Sequence, residues 1–387
     1  MDNEKPAIIG GDPVSPTLIP IMQPTLPPIN EIQGSIEEIL QTKMITNHKY
    51  VQELEKVLLQ YIGVNNVIAL SSCTTGLLLI GKCLGIEGEV ITPSFSFSAT
   101  SLALLWLGNK PIFVDCHPTK FTIDVNKVQE KITNKTSAIL ATHIFGNPCE
   151  IKVLQEICDD NKLKLIFDAA HGFGAQYQGK SIGNFGDAES FSMSPTKVLT
   201  AGEGGIVTTN DDELAEKVRI GRNYGNPGDY NTSVVGLSGR MPEFNAILAL
   251  KSFELLEENV KNRHKLFDYY KKKLSNFPGI SFQEIEEGAR SSCKDFAIVI
   301  EPPEFGLTRD KFYMALNAEN IMTKKYFYPP IHQQDVFKFY SNFKDLEITE
   351  ELAKNILCLP IYSHMETSLV DTICYAIEKI HNFRDEI

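Results

Sequence analysis

No C-x-x-C pair occurs among the eight cysteines, which stand apart at 73, 83, 116, 149, 158, 293, 358 and 374. That spacing argues against a zinc ribbon or a disulfide framework, and fits a reduced compartment. No apolar run reaches the roughly 18 residues needed to cross a bilayer. The opening MDNEKPAIIGGDPVSP is acidic and rich in Pro and Gly, unlike a signal peptide. No internal repeat is evident. There is no excess of basic charge either, since the net charge is −12, and this argues against a nucleic-acid surface, which needs clustered Lys and Arg. An anionic small molecule is still compatible with such a chain, because a pocket can be locally basic on an acidic protein. These absences describe a cytoplasmic, soluble protein that binds neither nucleic acid nor membrane, and no metal-ligand spacing appears.

At 387 residues with 43% hydrophobic residues, the chain can bury a sizeable core, and its length favours two domains. Residues 1–30 hold seven prolines and little periodicity, which predicts an extended N-terminal arm. An amphipathic helix is expected over Ile32–Thr42. A second follows, with Thr46 or Asn47 as N-cap and Gly63 as stop. Beyond it, apolar β-like runs (Val67–Leu70, EVITP, KPIFVDC, TSAILAT, KLKLIF) alternate with helical patterns. This order implies right-handed βαβ crossovers and a mainly parallel sheet. Pro242–Leu274 reads as one long helical run bridging the two domains. The remainder alternates short β-like and helical runs, as a smaller α+β domain would.

Phe167–Asp211 is the most informative stretch. The run KLKLIF ends in Asp168. A second run, DAESFSMS, ends just before Lys197, which precedes a glycine-rich turn at Ala201–Gly205, and GIVTTN leads away. A carboxylate and an amine are thus placed at strand ends, among small residues that let backbone approach a ligand closely. In most chains a Lys before a Gly-rich turn is a solvated loop residue, and an Asp at a strand end is as often a helix cap. Together they suit a pyridoxal phosphate (PLP) enzyme. The lysine would form the Schiff base, and the aspartate would pair with the pyridinium nitrogen that makes the ring an electron sink. Upstream, NVIALSSCTTG is a strand, a small polar turn and a helix start. Such a unit aims free N–H groups and hydroxyls at one point and can hold a phosphate, although it is also a common α/β connection.

The motifs DAAHGFGA, GK-x-IG-x-FGDAESFS and TK-x-LTAGEGG resemble those of the DegT/DnrJ/EryC1/StrS family of PLP-dependent sugar aminotransferases, and the likeness runs over most of the chain. It implies the PLP-dependent transferase fold type I, related to aspartate aminotransferase. That fold has a large, mixed, mostly parallel seven-stranded α/β domain, expected at 31–255, and a smaller C-terminal domain at 256–387. It implies Lys197 as Schiff-base lysine and general acid–base, Asp168 on the ring nitrogen, and His171 at the ring or its phenolic oxygen. Thr74, Thr75 and Ser192 would hold the phosphate, and Phe97 would cover a face of the ring. Ser238, in GLSGRM, stands where the family has an Asn that reaches a neighbouring subunit's phosphate, so a homodimer with shared sites is expected. On the residues alone Ser238 could instead cap the following helix. Asn47 and His48 replace the family's Thr and Gly, so the likeness does not carry substrate contacts there. YPPIH (Tyr328–His332) matches a loop that approaches the active site.

The reaction so implied moves an amino group from an amino acid, with glutamate the expected donor, to a keto group on a nucleotide-linked deoxysugar. A keto-cyclitol acceptor and a non-catalytic PLP-binding regulator are the alternatives. Sugar dehydration without amination goes, in this family, with His in place of the lysine, and here Lys197 is present.

Overall fold

A computed structural model describes residues 5–340 and 345–387; the first four positions of the expected arm, and 341–344 of the expected smaller domain, lie outside them. The centre of the fold is a seven-stranded sheet. In spatial order its strands are Asn66–Leu70, Gly205–Thr209, Ala188–Ser192, Lys164–Asp168, Thr136–Thr142, Glu89–Pro93 and Lys110–Val114. Five of these pair in parallel. Gly205–Thr209 runs antiparallel to both of its neighbours, so the sheet is mixed and mostly parallel as expected. Three strands, Asn66–Leu70, Ala188–Ser192 and Gly205–Thr209, are buried at every residue, and Thr136–Thr142 is buried from Ala138 on, which is why they read as continuous apolar or small-residue runs without alternation. Helices pack on both faces, and the chain order strand–helix–strand follows from that.

A second, three-stranded antiparallel sheet (Ile280–Phe282, Phe296–Ile300, Ile356–Leu359) has its own hydrophobic core. The N-terminal arm packs against this part of the molecule. Ile19 bridges Ile321 and enters that core, while the backbone N–H groups of Ala7 and Val14 donate to the Glu319 carboxylate.

The expected helix over 242–274 is in fact two, Glu243–Glu254 and Leu256–Leu274, separated at Leu255. The second one joins the cores: Leu256 and Val260 belong to that of the large sheet, while Leu266, Tyr270 and Leu274 belong to the other. The first helix begins at Ile29, three residues before the expected start, directly after Pro28. The next, Lys49–Ile62, stops at Gly63 as read, but neither Thr46 nor Asn47 caps it. Its cap comes from far along the chain, for the buried Glu243 carboxylate accepts the N–H groups of His48, Tyr50 and Val51 at 2.7, 2.8 and 3.2 Å. Thr46 is tied to the same place through its hydroxyl on the Met241 carbonyl, 3.1 Å. Among the described residues no helix is long and apolar enough to cross a membrane, and no group of His, Cys, Asp and Glu is arranged to hold a metal.

Candidate active site

Parallel strands leave their carboxyl ends on one edge, where ligands of open α/β sheets bind. Here that edge floors a cavity of about 350 Å³. Asp168 ends its strand there, beside Thr142 and Ser190 in register. Only 5% exposed, it accepts the Thr100 hydroxyl on Oδ2 at 2.6 Å and the Ala170 N–H on Oδ1 at 3.0 Å. Thr100 is in turn held by the Ser96 hydroxyl, 2.8 Å away. A buried carboxylate this firmly oriented is aimed, and a helix cap it is not.

Lys197 lies in the loop between two antiparallel strands, Ala188–Ser192 and Gly205–Thr209. The loop is pinned from behind by the helix Glu243–Glu254. Asn245 donates to the carbonyls of Ala201 and Glu203, and the Ser252 hydroxyl accepts the Thr200 N–H. Burial, then the neighbouring Lys294 ammonium, push Lys197 down to about 8. An amine so poised supplies a useful fraction of free base near neutrality, as a Schiff-base lysine must.

His171 lines the same cavity, with its ring parallel to Phe145 and centroids 6.4 Å apart. Its Nδ1 accepts the Phe145 N–H at 3.1 Å, which leaves the proton on Nε2. Burial, with Lys197 and Lys294 nearby, holds the imidazole well below its usual range and therefore neutral.

Across from them the helix Cys73–Cys83 begins. Ser72 caps it, its hydroxyl accepting the Thr75 N–H at 3.1 Å. The N–H groups of Cys73 and Thr74 fall in the first turn, where no intrahelical partner exists, and the helix dipole favours an anion. Thr74 and Ser192 both line the cavity. Thr75 stands one position behind, its hydroxyl shared between those of Ser71 and Ser72 at 3.1 and 2.9 Å. Gly205 explains part of the AGEGG turn: a Cβ there would come within 2.5 Å of the Cys73 N and the Ser72 carbonyl carbon, so only glycine lets the strand slide under this helix start. Phe97 precedes the helix Ser98–Trp106 and lines the cavity with 62% of its surface exposed, at the mouth.

Ser238 is exposed and does not line this subunit's cavity. It cannot cap the helix that follows, which begins at Glu243 with Pro242 at its N-cap. Its turn crosses over the Ser71–Thr75 corner, with the Gly239 carbonyl accepting the Ser71 N–H at 2.9 Å. Asn47 and His48 are likewise absent from the cavity wall.

The remaining wall was not foreseen residue by residue. Lys294, Tyr326 and Phe327 line it. Lys294 is 5% exposed and pairs with Asp295 at 2.7 Å, a charged doublet opening the apolar run FAIVI, which is the one sequence signal that could have marked it. The YPPIH segment stands next to the cavity rather than in it. His332 anchors it, with Nδ1 2.6 Å from the Ser94 hydroxyl and Nε2 3.0 Å from Glu350.

The arrangement fits PLP by its donor set: an amine with a lowered pKa, a buried oriented carboxylate at a strand end, a helix N-terminus with a free first turn, and an aromatic ring at the mouth. Fold and site thus define a PLP-dependent aminotransferase of fold type I. The chain belongs to the DegT/DnrJ/EryC1/StrS aminotransferase family, whose model matches residues 28–378. It is 33% identical to the dTDP-4-amino-4,6-dideoxy-D-glucose transaminase of Shigella dysenteriae, over 93% of this chain and 98% of that one. It is 30% identical to the GDP-perosamine synthase of Caulobacter vibrioides, over 86% and 90%. Among solved structures, DesI in the presence of its TDP-sugar product superposes with a TM-score of 0.92 at 28% identity, covering 98% of this chain and 96% of that one.

Proposed function

We propose that the protein transfers the amino group of an amino acid, glutamate, to a keto carbon of a nucleotide-linked deoxysugar, as a homodimer with active sites at the interface. The carrying observation is the single cavity that holds the lowered Lys197 amine, the oriented Asp168 carboxylate and the free helix start at Thr74. The names of the relatives support the acceptor class, since they act on dTDP- and GDP-linked sugars. Exposed apolar side chains in the segment leading to Ser238, namely Tyr224, Tyr230 and Val235, support a partner surface there.

In this reading Thr74, Ser192 and the first-turn N–H groups would hold the cofactor phosphate, with Thr75 bracing the turn from behind. Ser238 of each subunit would reach the phosphate of the other. Phe97 would lie over the ring, and His171 would offer its Nε2–H to it. When bound, PLP supplies the electron sink for the bonds broken at the donor's α-carbon. Lys197 Nζ, once free, takes the proton from that carbon and returns one at the acceptor stage as general acid–base. Asp168 would hold the ring nitrogen in its protonated form, and the Thr100 and Ala170 hydrogen bonds keep its oxygens from turning away. A coupled transamination assay with glutamate across a panel of dTDP-, UDP- and GDP-linked keto-sugars tests the reading. Transfer to one of them is expected, and transfer only to a free keto-cyclitol would overturn it.

A further inference from the structure

An amino-acid donor carries a carboxylate on the very carbon whose proton is removed, so the cavity needs a cation placed beside Lys197 to orient it. Among the described residues lining the cavity the only amines are Lys197 and Lys294, and no arginine is among them. His171 is neutral, and Asp168 and Glu203 are acids. Lys197 is committed to the cofactor. We propose that Lys294 binds the α-carboxylate of the amino donor, its ammonium held ready by Asp295 and by the face of Tyr326. The proposal rests on the reading that the amino group comes from an amino acid.

The surroundings of Lys294 are built for such a task. Its backbone is clamped from both sides: the carbonyl accepts Arg263 Nη1 at 2.9 Å, from the helix that joins the two cores, and the N–H donates to the Phe145 carbonyl at 3.2 Å. The next segment over is clamped too, since the Ser292 hydroxyl donates to the His171 carbonyl at 2.7 Å. The ammonium spends one of its three N–H donors on Asp295 Oδ1 and lies 5.7 Å from the Tyr326 ring centroid. Asp295 is 7% exposed and its Oδ2 has no hydrogen-bond partner. A buried pair between adjacent residues, with one carboxylate oxygen unsatisfied, is a poor stabilising device. It makes sense as a charge kept at a cavity wall for a ligand. Its proximity to Lys197 adds a second consequence, since the same ammonium that would receive the carboxylate also favours the free amine on Lys197.

The test separates the two half-reactions of the holoenzyme, each followed by the absorbance of the bound cofactor. Lys294→Met should raise the KM for glutamate about tenfold or more, with kcat changed much less, because a charge-assisted hydrogen bond is lost. The KM for the keto-sugar should stay within a few-fold, and Lys294→Arg should recover part of the donor affinity. Calorimetric titration with glutarate, which has no amine to react, should show a matching loss of affinity. The double variant Lys294→Met/Asp295→Asn removes both charges, so that an unpaired Asp295 does not confuse folding with binding. An unchanged glutamate KM and glutarate affinity in either folded variant, or an equal rise in both substrates' KM, would overturn the assignment of Lys294. If wild-type holoenzyme shows no spectral response to any amino acid, the amino-acid reading itself falls, and the proposal with it.

Discussion

The cavity has two walls of different construction. One is made by strand ends and a helix start of the large sheet: Thr74, Asp168, His171, Ser192 and Lys197 all lie within a few residues of a regular element. The other is made by Lys294, Tyr326 and Phe327, which arrive on irregular backbone from the far part of the chain and are held by long-range contacts such as Arg263 to the Lys294 carbonyl. The first wall is the one proposed to hold the cofactor, and its geometry follows from short motifs. The second is the one proposed to meet the amino donor, and it exists only after two cores have packed against one helix. The difference teaches that one wall of the cavity is written locally while the other is assembled from distant parts of the chain.

Breaking the first wall should have the largest effect. Lys197→Ala should abolish amino transfer, a loss of about 10²–10⁴-fold or more for the proton transfers alone. Borohydride reduction of the wild-type holoenzyme, followed by mass spectrometry, should place the pyridoxyl group on Lys197, and label on another lysine would sink the assignment. The lowered amine also predicts a pH signature in the cofactor-free protein. Competitive acetylation of Lys197 should titrate near 8, well below a free lysine. The unfolded chain holds this proton up to its ordinary pKa of 10.5 whereas the folded chain releases it near 8, so folding should become more favourable as pH rises between these values.

Asp168→Asn comes next. It should still bind PLP but slow the half-reaction with glutamate by about a hundredfold or more, because a neutral amide no longer holds the ring nitrogen protonated. Near wild-type half-reaction rates in that variant would reduce Asp168 to a structural residue.

The second wall should respond differently. His332→Ala removes the anchor between Ser94 and Glu350 and frees the segment that carries Tyr326 and Phe327. It should raise the acceptor KM several-fold while PLP retention on gel filtration stays as in wild type. Equal loss of cofactor would mean that the two walls are not separable.

Ser238→Ala should have the smallest effect. The helix after it begins at Glu243 with Pro242, not Ser238, at its N-cap, so the variant's melting temperature should match that of wild type. A phosphate donor acting across the dimer should instead weaken PLP retention, by up to about 1.5–3 kcal/mol for a hydrogen bond to a charged group. In mixed dimers of Lys197→Ala subunits with Ser238→Ala subunits, analysed after sedimentation confirms their assembly, the site that keeps Lys197 receives the intact Ser238 of its partner and should retain PLP as a wild-type site does. Identical retention at the Lys197-bearing sites of wild type, mixed dimers and Ser238→Ala homodimers would remove the claim of a shared site.

The sequence by itself determined the alternation of strands and helices along the chain, Asp168 at its strand end, Lys197 in the turn after the next strand, and the helix start beside Thr74. These follow from periodicity and turn chemistry acting over a few residues. Even there its reach ended one residue too far, because Thr74 and Thr75 look alike in a string, and only packing turns one to the cavity and the other to Ser71 and Ser72. The cap of the helix Lys49–Ile62 could not be read at all, since Glu243 reaches it across 195 positions to the N–H of His48. Nor could Lys294, which in the string is one charged residue before a strand. Tertiary structure decided these because a hydrogen bond or a buried charge is set by distance in space, and only neighbours along the chain have that distance dictated by local backbone geometry.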